Sequence, residues 1–275
     1  MVRGEELPSG LEPITSRRNP LVKRLRQLHD ARGRREEGLI LLEGTHLLQE
    51  VLRLGLQPQQ LLATAAWMER HGALLAACPH PVQPVGEEVL AAVATTDHPD
   101  GVVLTLAAAA LPQATGLAPW VLALDQLQDP GNLGTLLRTA LAAGVGEVWL
   151  GGGADPFQPK VLRASAGAAL ALPLRREPDR SALLPWLRQA AEQGHQVVAT
   201  LVDGQQAQPY WQIDWTRPTV LLLGNEGSGL DQALAALASH RVTIPHSSAV
   251  ESLNVAVAAA PLLLERWRQE RMPAN

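Results

Sequence analysis

Apolar residues along this chain fall into short runs separated by segments of helical period, and that alternation decides the first reading. Gly38–Leu42, Gln60–Ala63, Pro81–Val85 and Val102–Leu106 are apolar stretches of strand length. Between them, His46–Leu54, Trp67–Ala77 and Glu87–Ala94 space their apolar residues three and four apart, as one face of a helix does. The second half repeats the scheme more regularly. Strands are predicted at Trp120–Leu124, Glu147–Leu150, Gln196–Leu201, Thr219–Leu223 and Val242–Ile244, and helices at Leu133–Ala143, Pro159–Ala164, Ser181–Gln193 and Leu253–Arg268. Pro261 should kink the last of these. Strands that are apolar throughout and alternate with helices predict a mostly parallel sheet covered on both faces. The fold class read from the pattern is α/β, in two domains of which the first is small. Ala107–Pro119, rich in alanine with two prolines and no charge, reads as the linker.

Composition narrows the class. With 275 residues, 46% of them hydrophobic, the chain can bury a proper core and is not a disordered one. Its longer apolar runs, such as Val102–Leu111, fall well short of the roughly 18–20 residues of a membrane span. The N-terminus has no apolar h-region, so no secretory signal is read and a cytoplasmic location is expected. A single cysteine, Cys78, excludes an intramolecular disulfide and any cysteine-based zinc site. The eight histidines form no HxxxH pair, so no metal site is expected. The net charge of −4 hides an asymmetry: Ile14–Arg35 holds eight basic residues and one acid, a local +7. Residues 1–35 are therefore read as a basic arm, with Arg17, Arg18, Lys23, Arg24 and Arg26 as candidates for phosphate contacts. The competing reading is a solvated helix face.

Three loops at predicted strand ends hold nearly all the unusual polar residues of the second half, and ligands of open α/β sheets bind at such ends. The first runs Asp125-Gln-Leu-Gln-Asp129-Pro-Gly-Asn132-Leu-Gly134 and continues to Arg138. Asp129–Gly131 makes a turn, Asn132 is a competent N-cap, and Arg138 is expected on roughly the same side of the helix as Asn132. A capped helix with an exposed arginine is the plainer alternative. The second loop, Gly224-Asn225-Glu226-Gly227-Ser228-Gly229-Leu230, has three glycines in six residues, which allow positive φ and close backbone approach to a ligand. An ordinary strand-to-helix turn does not explain the acid among them. The third, Ile244-Pro245-His246-Ser247-Ser248 through Ser252-Leu253-Asn254-Val255, leads into an apolar helix with Ser252 placed as its cap. None of them is GxGxxG, so no dinucleotide fingerprint is present.

Taken together, Asp129–Arg138, Leu223–Leu230 and Ile244–Val255 resemble, in order and spacing, the three motifs of SpoU-type (TrmH-family) RNA 2′-O-ribose methyltransferases. Leu39–Gly44 resembles that family's substrate-binding module, and Ile14–Pro20 the N-terminal extension of its ribosomal-RNA members. The resemblance implies a SPOUT fold with a parallel sheet and a deep trefoil knot, behind a small ribosomal-protein-like α/β domain. It implies S-adenosylmethionine as cofactor, held by Thr200, Leu223, Gly224, Ile244 and Leu253, and Asn132, Arg138, Glu226, Ser252 and Asn254 as catalytic residues. It further implies a homodimer whose active site is completed at the interface.

On this likeness the chain divides into the basic arm at 1–35, an RNA substrate-binding domain at 36–107, a linker at 108–119 and a methyltransferase domain at 120–275. Ribosomal RNA is favoured over transfer RNA as substrate, on the N-terminal module and the basic arm. Three departures stand out: His246 and Ser248 replace the usual Met and Gly, and Ala256 a usual Ser. The alternatives are a transfer-RNA enzyme, a non-catalytic RNA-binding protein on the same fold, and a Rossmann-type oxidoreductase, which lacks its glycine signature.

Overall fold

The computed structural model describes residues 11–201 and 207–271. The first ten residues of the predicted arm lie outside them. The chain divides into two compact units, residues 1–111 with 157–167, and residues 112–156 with 168–275.

The first unit opens with helices α1 (Pro20–Gln27) and α2 (Ala31–Glu37), continues as β1 (Leu39–Glu43), α3 (Thr45–Arg53), β2 (Gln60–Ala63), α4 (Ala65–Arg70) and α5 (Gly72–Ala76), and ends with β3 (Gln83–Pro84), α6 (Glu87–Val93) and β4 (Val102–Ala107). The sheet order is β1-β4-β2-β3, with β4 antiparallel to both neighbours. The basic segment is not a free arm. Asn19 accepts a hydrogen bond from Leu21 N, Pro20 opens the helix, and Val22, Leu25 and Leu28 are buried against Leu41, Leu62, Val89 and Val93. Charge density obscured an apolar stripe of helical spacing. Helix α8 (Pro159–Ala164), predicted for the second domain, also belongs to this unit. Its Arg163 donates to Thr95 Oγ1 (2.9 Å) and lies 3.9 Å from the buried Glu43 carboxylate. A helical period shows that a face will be buried, not which core receives it.

The second unit runs β5 (Trp120–Asp125), α7 (Pro130–Ala142), β6 (Glu147–Gly151), α9 (Ala168–Ala171), β7 (Leu174–Glu177), α10 (Leu183–Glu192), β8 (Gln196–Thr200), β9 (Gln208–Pro209), β10 (Thr219–Leu223), α11 (Gln232–Ala235), β11 (His240–Thr243) and α12 (Val255–Arg271). All seven strands are parallel, in the order β7-β6-β5-β10-β8-β11-β9. β5, β6 and β10 are buried along their whole length, which is why they read as unbroken apolar runs. β7 and β9 escaped the sequence pattern because both are edge strands: Arg175, Arg176 and Glu177 face solvent, and β9 is two residues long. α12 runs on through Pro261 without ending there. Among the described residues, no helix is long and apolar enough to cross a membrane.

Candidate functional site

Parallel strands end on one edge of the sheet, so the loops after β5, β10 and β11 are brought to the same place. The first loop turns at Gln126, whose φ of 52° is left-handed, and enters α7 at Pro130. The cap of α7 is Asp129, which accepts from Asn132 N at 2.8 Å; Asn132, expected to cap, stands inside the first turn. An aspartate followed by proline wins that position because proline supplies the first helical φ and needs no N–H partner.

Glu226, from the second loop, closes over this helix start. Its carboxylate accepts from Gln128 N and Asp129 N, both at 3.0 Å, and from Asn132 Nδ2 at 3.3 Å. Burial alone would raise its pKa, but the backbone amides of Gln128 and Asp129 and then the Asn132 amide outweigh it and hold the group below the ordinary carboxylate range. Glu226 is therefore an ionised clamp on the first loop. It stabilises fully above the ordinary carboxylate pKa, and its contribution is lost as pH falls through the lowered folded value.

Asn225 organises the second loop itself. Its Oδ1 accepts from Gly227 N (2.9 Å) and Ser228 N (3.0 Å), and its Nδ2 donates to Gln126 O (2.8 Å). Sequence reasoning missed it, although an asparagine ahead of Gly-x-Gly is a signal for such a turn. Gly224 permits the close return of the loop: a Cβ there would stand 2.4 Å from Gly229 C and Leu230 N. Gly224→Ala is expected to displace this turn at a cost of about 1–3 kcal/mol, seen as a lowered Tm and weakened ligand binding. A variant with wild-type Tm and binding would contradict the close-approach account.

The third loop joins the other two through Asn254, whose Nδ2 donates to Asn132 Oδ1 at 3.0 Å. Asn254 Oδ1 accepts from Ala256 N and Val257 N, so Asn254 caps α12 where Ser252 was expected to. The run Asn254–Asn132–Glu226 fixes the orientation of both amides.

These groups border a cavity of about 530 Å³, within the range of small-molecule and cofactor sites. Thr200, Leu223, Gly224, Ile244 and Leu253 line it, together with Asn132, Glu226, Ser252 and Asn254. His246 and Glu251 line it as well. Arg138 does not. It is exposed on α7 with no hydrogen bond or ion pair among the described residues. Six residues at about 100° each turn it some 120° from Asn132, so the expected common side is not realised.

In the first unit, Arg17 pairs with Glu88 (3.5 Å) and Arg24 with Glu37 (2.6 Å), whereas Arg18, Lys23 and Arg26 are exposed and make no such pair among the described residues. Arg34 is buried, donating to Leu28 O and His29 O.

Comparison with known proteins places this geometry. The profile described as SpoU rRNA Methylase family matches residues 119–264, and that of the MRM3-like substrate binding domain residues 19–104. An uncharacterized tRNA/rRNA methyltransferase of Synechocystis sp. is 45% identical over 96% of each chain. The 23S rRNA (guanosine(2553)-2′-O)-methyltransferase RlmP of Bacillus subtilis is 33% identical, over 92% of this chain and 98% of its own. Among solved structures, the AdoMet-bound rRNA methyltransferase from Sinorhizobium meliloti superposes with a TM-score of 0.78 at 33% identity, covering 96% of this chain and 99% of that one.

Proposed function

The chain belongs to the SpoU rRNA methylase family, and we propose that it transfers a methyl group from S-adenosylmethionine to a ribose 2′-hydroxyl of ribosomal RNA. The cofactor and the RNA 2′-O-methyltransferase activity are those of the family. The observation that carries the site assignment is the hydrogen-bonded run Asn254–Asn132–Glu226 along one wall of the cavity. The cavity suits the cofactor in size and in lining: Leu223, Leu230, Val242, Ile244 and Leu262 offer apolar surface, and the glycine turn leaves backbone groups open to an adenosyl moiety.

When bound, the cofactor supplies an electrophilic methyl on a sulfonium that departs as a neutral thioether. The protein must then hold the hydroxyl in line and at near-attack distance, and the proton that the hydroxyl gives up as the oxygen–methyl bond forms passes to water. Each of the Asn132 and Asn254 amides spends one N–H inside the run, which leaves the other for a sugar oxygen. Ser252 also lines the cavity and is assigned a share of that work. Glu226 acts through Asn132 and the first loop and is a poor base, because the donors on its carboxylate hold its pKa below the ordinary range.

Arg138 is assigned to the target phosphate and to the developing alkoxide; a guanidinium with a pKa above ~12 stays charged in both tasks. It reaches them in a homodimer. Leu141 stands one turn beyond Arg138 on α7, and Val257, Leu264 and Trp267 are exposed on α12, which packs on α7. A second copy covering this apolar face would bring each Arg138 towards the partner's cavity. The trefoil knot is assigned on related grounds: β10 and β11 insert between earlier strands, and the segment after β11 returns to the first turn of α7 through Asn254.

The first unit is read as the RNA-binding module, with the exposed face of α1 as its phosphate contact. Replacing Arg18, Lys23 and Arg26 together by glutamine should weaken RNA binding and flatten its log–log salt dependence by about 2–3, with cofactor affinity unchanged. An unaltered slope in a salt titration would remove α1 from the interface.

The function itself is tested with purified protein, methyl-labelled S-adenosylmethionine and either ribosomal or transfer RNA, followed by mapping of ribose methylation. Label confined to one ribosomal nucleotide is expected. Label in transfer RNA alone would move the substrate to the other class, and cofactor binding without transfer to any RNA would favour a non-catalytic binding protein.

A further inference from the structure

Beneath the site lies a charge cluster, built on one buried carboxylate, that the motifs do not include. Asp125, the last residue of β5, has no exposed surface, and its Oδ1 lies 3.2 Å from Arg180 Nε, an ion pair without the alignment of a hydrogen bond. Its Oδ2 accepts from Asp231 N at 3.1 Å. The remaining edges of the Arg180 guanidinium are also engaged: Nη1 donates to Asp231 Oδ2 at 3.1 Å and Nη2 to Gln126 Oε1 at 2.6 Å. Burial holds the Asp125 carboxyl above its ordinary range, with the Asp231 amide and the guanidinium pulling against it. A carboxylate so placed is costly unless partnered, and a planar fork with three directed edges is the partner that reaches three groups at once.

The partners of Arg180 define what it joins. Gln126 opens the first loop and carries the left-handed turn, and its carbonyl receives Asn225 Nδ2. Asp231 ends the second loop and caps α11 through Ala233 N and Leu234 N. The second loop, which lines the cavity from Gly224 to Leu230, is thus tied to the first at one end by Asn225 and Glu226 and at the other by Arg180. Arg180 reaches this place from the turn after the edge strand β7, well outside the three motifs.

We propose that Arg180 is a positioning residue: it holds the cofactor-lining loop 224–230 on the first loop and thereby sets cofactor affinity. It touches neither cofactor nor ribose. The inference rests on reading the cavity as the S-adenosylmethionine site.

Arg180→Met strands Asp125 without its counter-ion and can simply unfold, so the deciding protein is the double variant Asp125→Asn with Arg180→Met, which buries no unpaired charge. Three quantities are measured on it: Tm, the dissociation constant of S-adenosylmethionine by calorimetry, and amide hydrogen exchange of residues 225–230 in the cofactor-free protein. Expected are a Tm within a few degrees of wild type, faster exchange in that loop and a roughly tenfold weaker cofactor. Asp125→Asn alone, which retains the Gln126 and Asp231 contacts, should keep most of the affinity. Wild-type exchange and affinity in the double variant would overturn the proposal, as would affinity lost only in proportion to the unfolded fraction. Failure of the wild-type protein to bind S-adenosylmethionine would instead overturn the reading of the cavity, so the two failures are separable.

Discussion

Arg138→Ala is expected to lower methyl transfer by about 10²–10³-fold, the scale of removing a group that stabilises developing charge, while Tm and cofactor affinity stay near wild type. Arg138 is exposed, makes no ion pair among the described residues and does not line the cavity of its own chain. Substitutions at such positions usually alter stability by no more than about 0.5 kcal/mol. A large rate effect without a stability effect therefore means contact with the substrate.

Arg138→Lys separates charge from shape. Near-normal turnover would argue against a forked contact with phosphate, because an ammonium is a point charge. Whether the arginine acts across a dimer is decided by mixing inactive Arg138→Ala with inactive Asn132→Ala protein. Hybrid dimers contain one site with both residues intact if Arg138 reaches into the partner, so activity should reappear on mixing. If the two residues serve the same chain's site, it will not.

Glu226→Ala should act by the opposite route, through the ground-state architecture. It removes three hydrogen bonds to a charged acceptor, each worth about 1.5–3 kcal/mol in favourable settings, and frees both the first loop and the Asn132 amide. Cofactor affinity is expected to fall at least tenfold, equivalent to about 1.4 kcal/mol, with turnover falling further because Asn132 and Asn254 lose their fixed orientation. Glu226→Gln can accept with one oxygen only and should lie between alanine and wild type. Acidification supplies an independent check. Because the Glu226 pKa is lowered in the folded protein, wild-type cofactor affinity should decline as pH falls below the ordinary carboxylate range, and that portion of the decline should be missing in Glu226→Ala. Equal pH profiles in the two proteins would contradict the clamp.

Much of this was legible in the chain itself. Unbroken apolar runs such as Trp120–Leu124 and Thr219–Leu223 announced strands buried on both faces, and with their intervening helices a parallel sheet. A parallel sheet gathers its loops on one edge, so the polar residues after β5, β10 and β11 assemble into a candidate site from the sequence pattern alone. The left-handed, glycine-dependent turn at 224–229 was likewise marked by residue type.

Tertiary structure alone decided the rest. It replaced Asn132 by Asp129 and Ser252 by Asn254 as helix caps, turned Arg138 away from the cavity, docked the apolar stripe of α1 into the first core and placed Arg180 under the site. The reason is the range of the interactions. Periodicity reports which face of an element is buried, through contacts a few residues apart. Glu226 meets Gln128 across 98 residues, Asn254 meets Asn132 across 122, and Asp231 meets Asp125 across 106. Such hydrogen bonds leave no local mark in the sequence, because they come into being only when the sheet brings distant loops together and each polar group takes the partner within its reach.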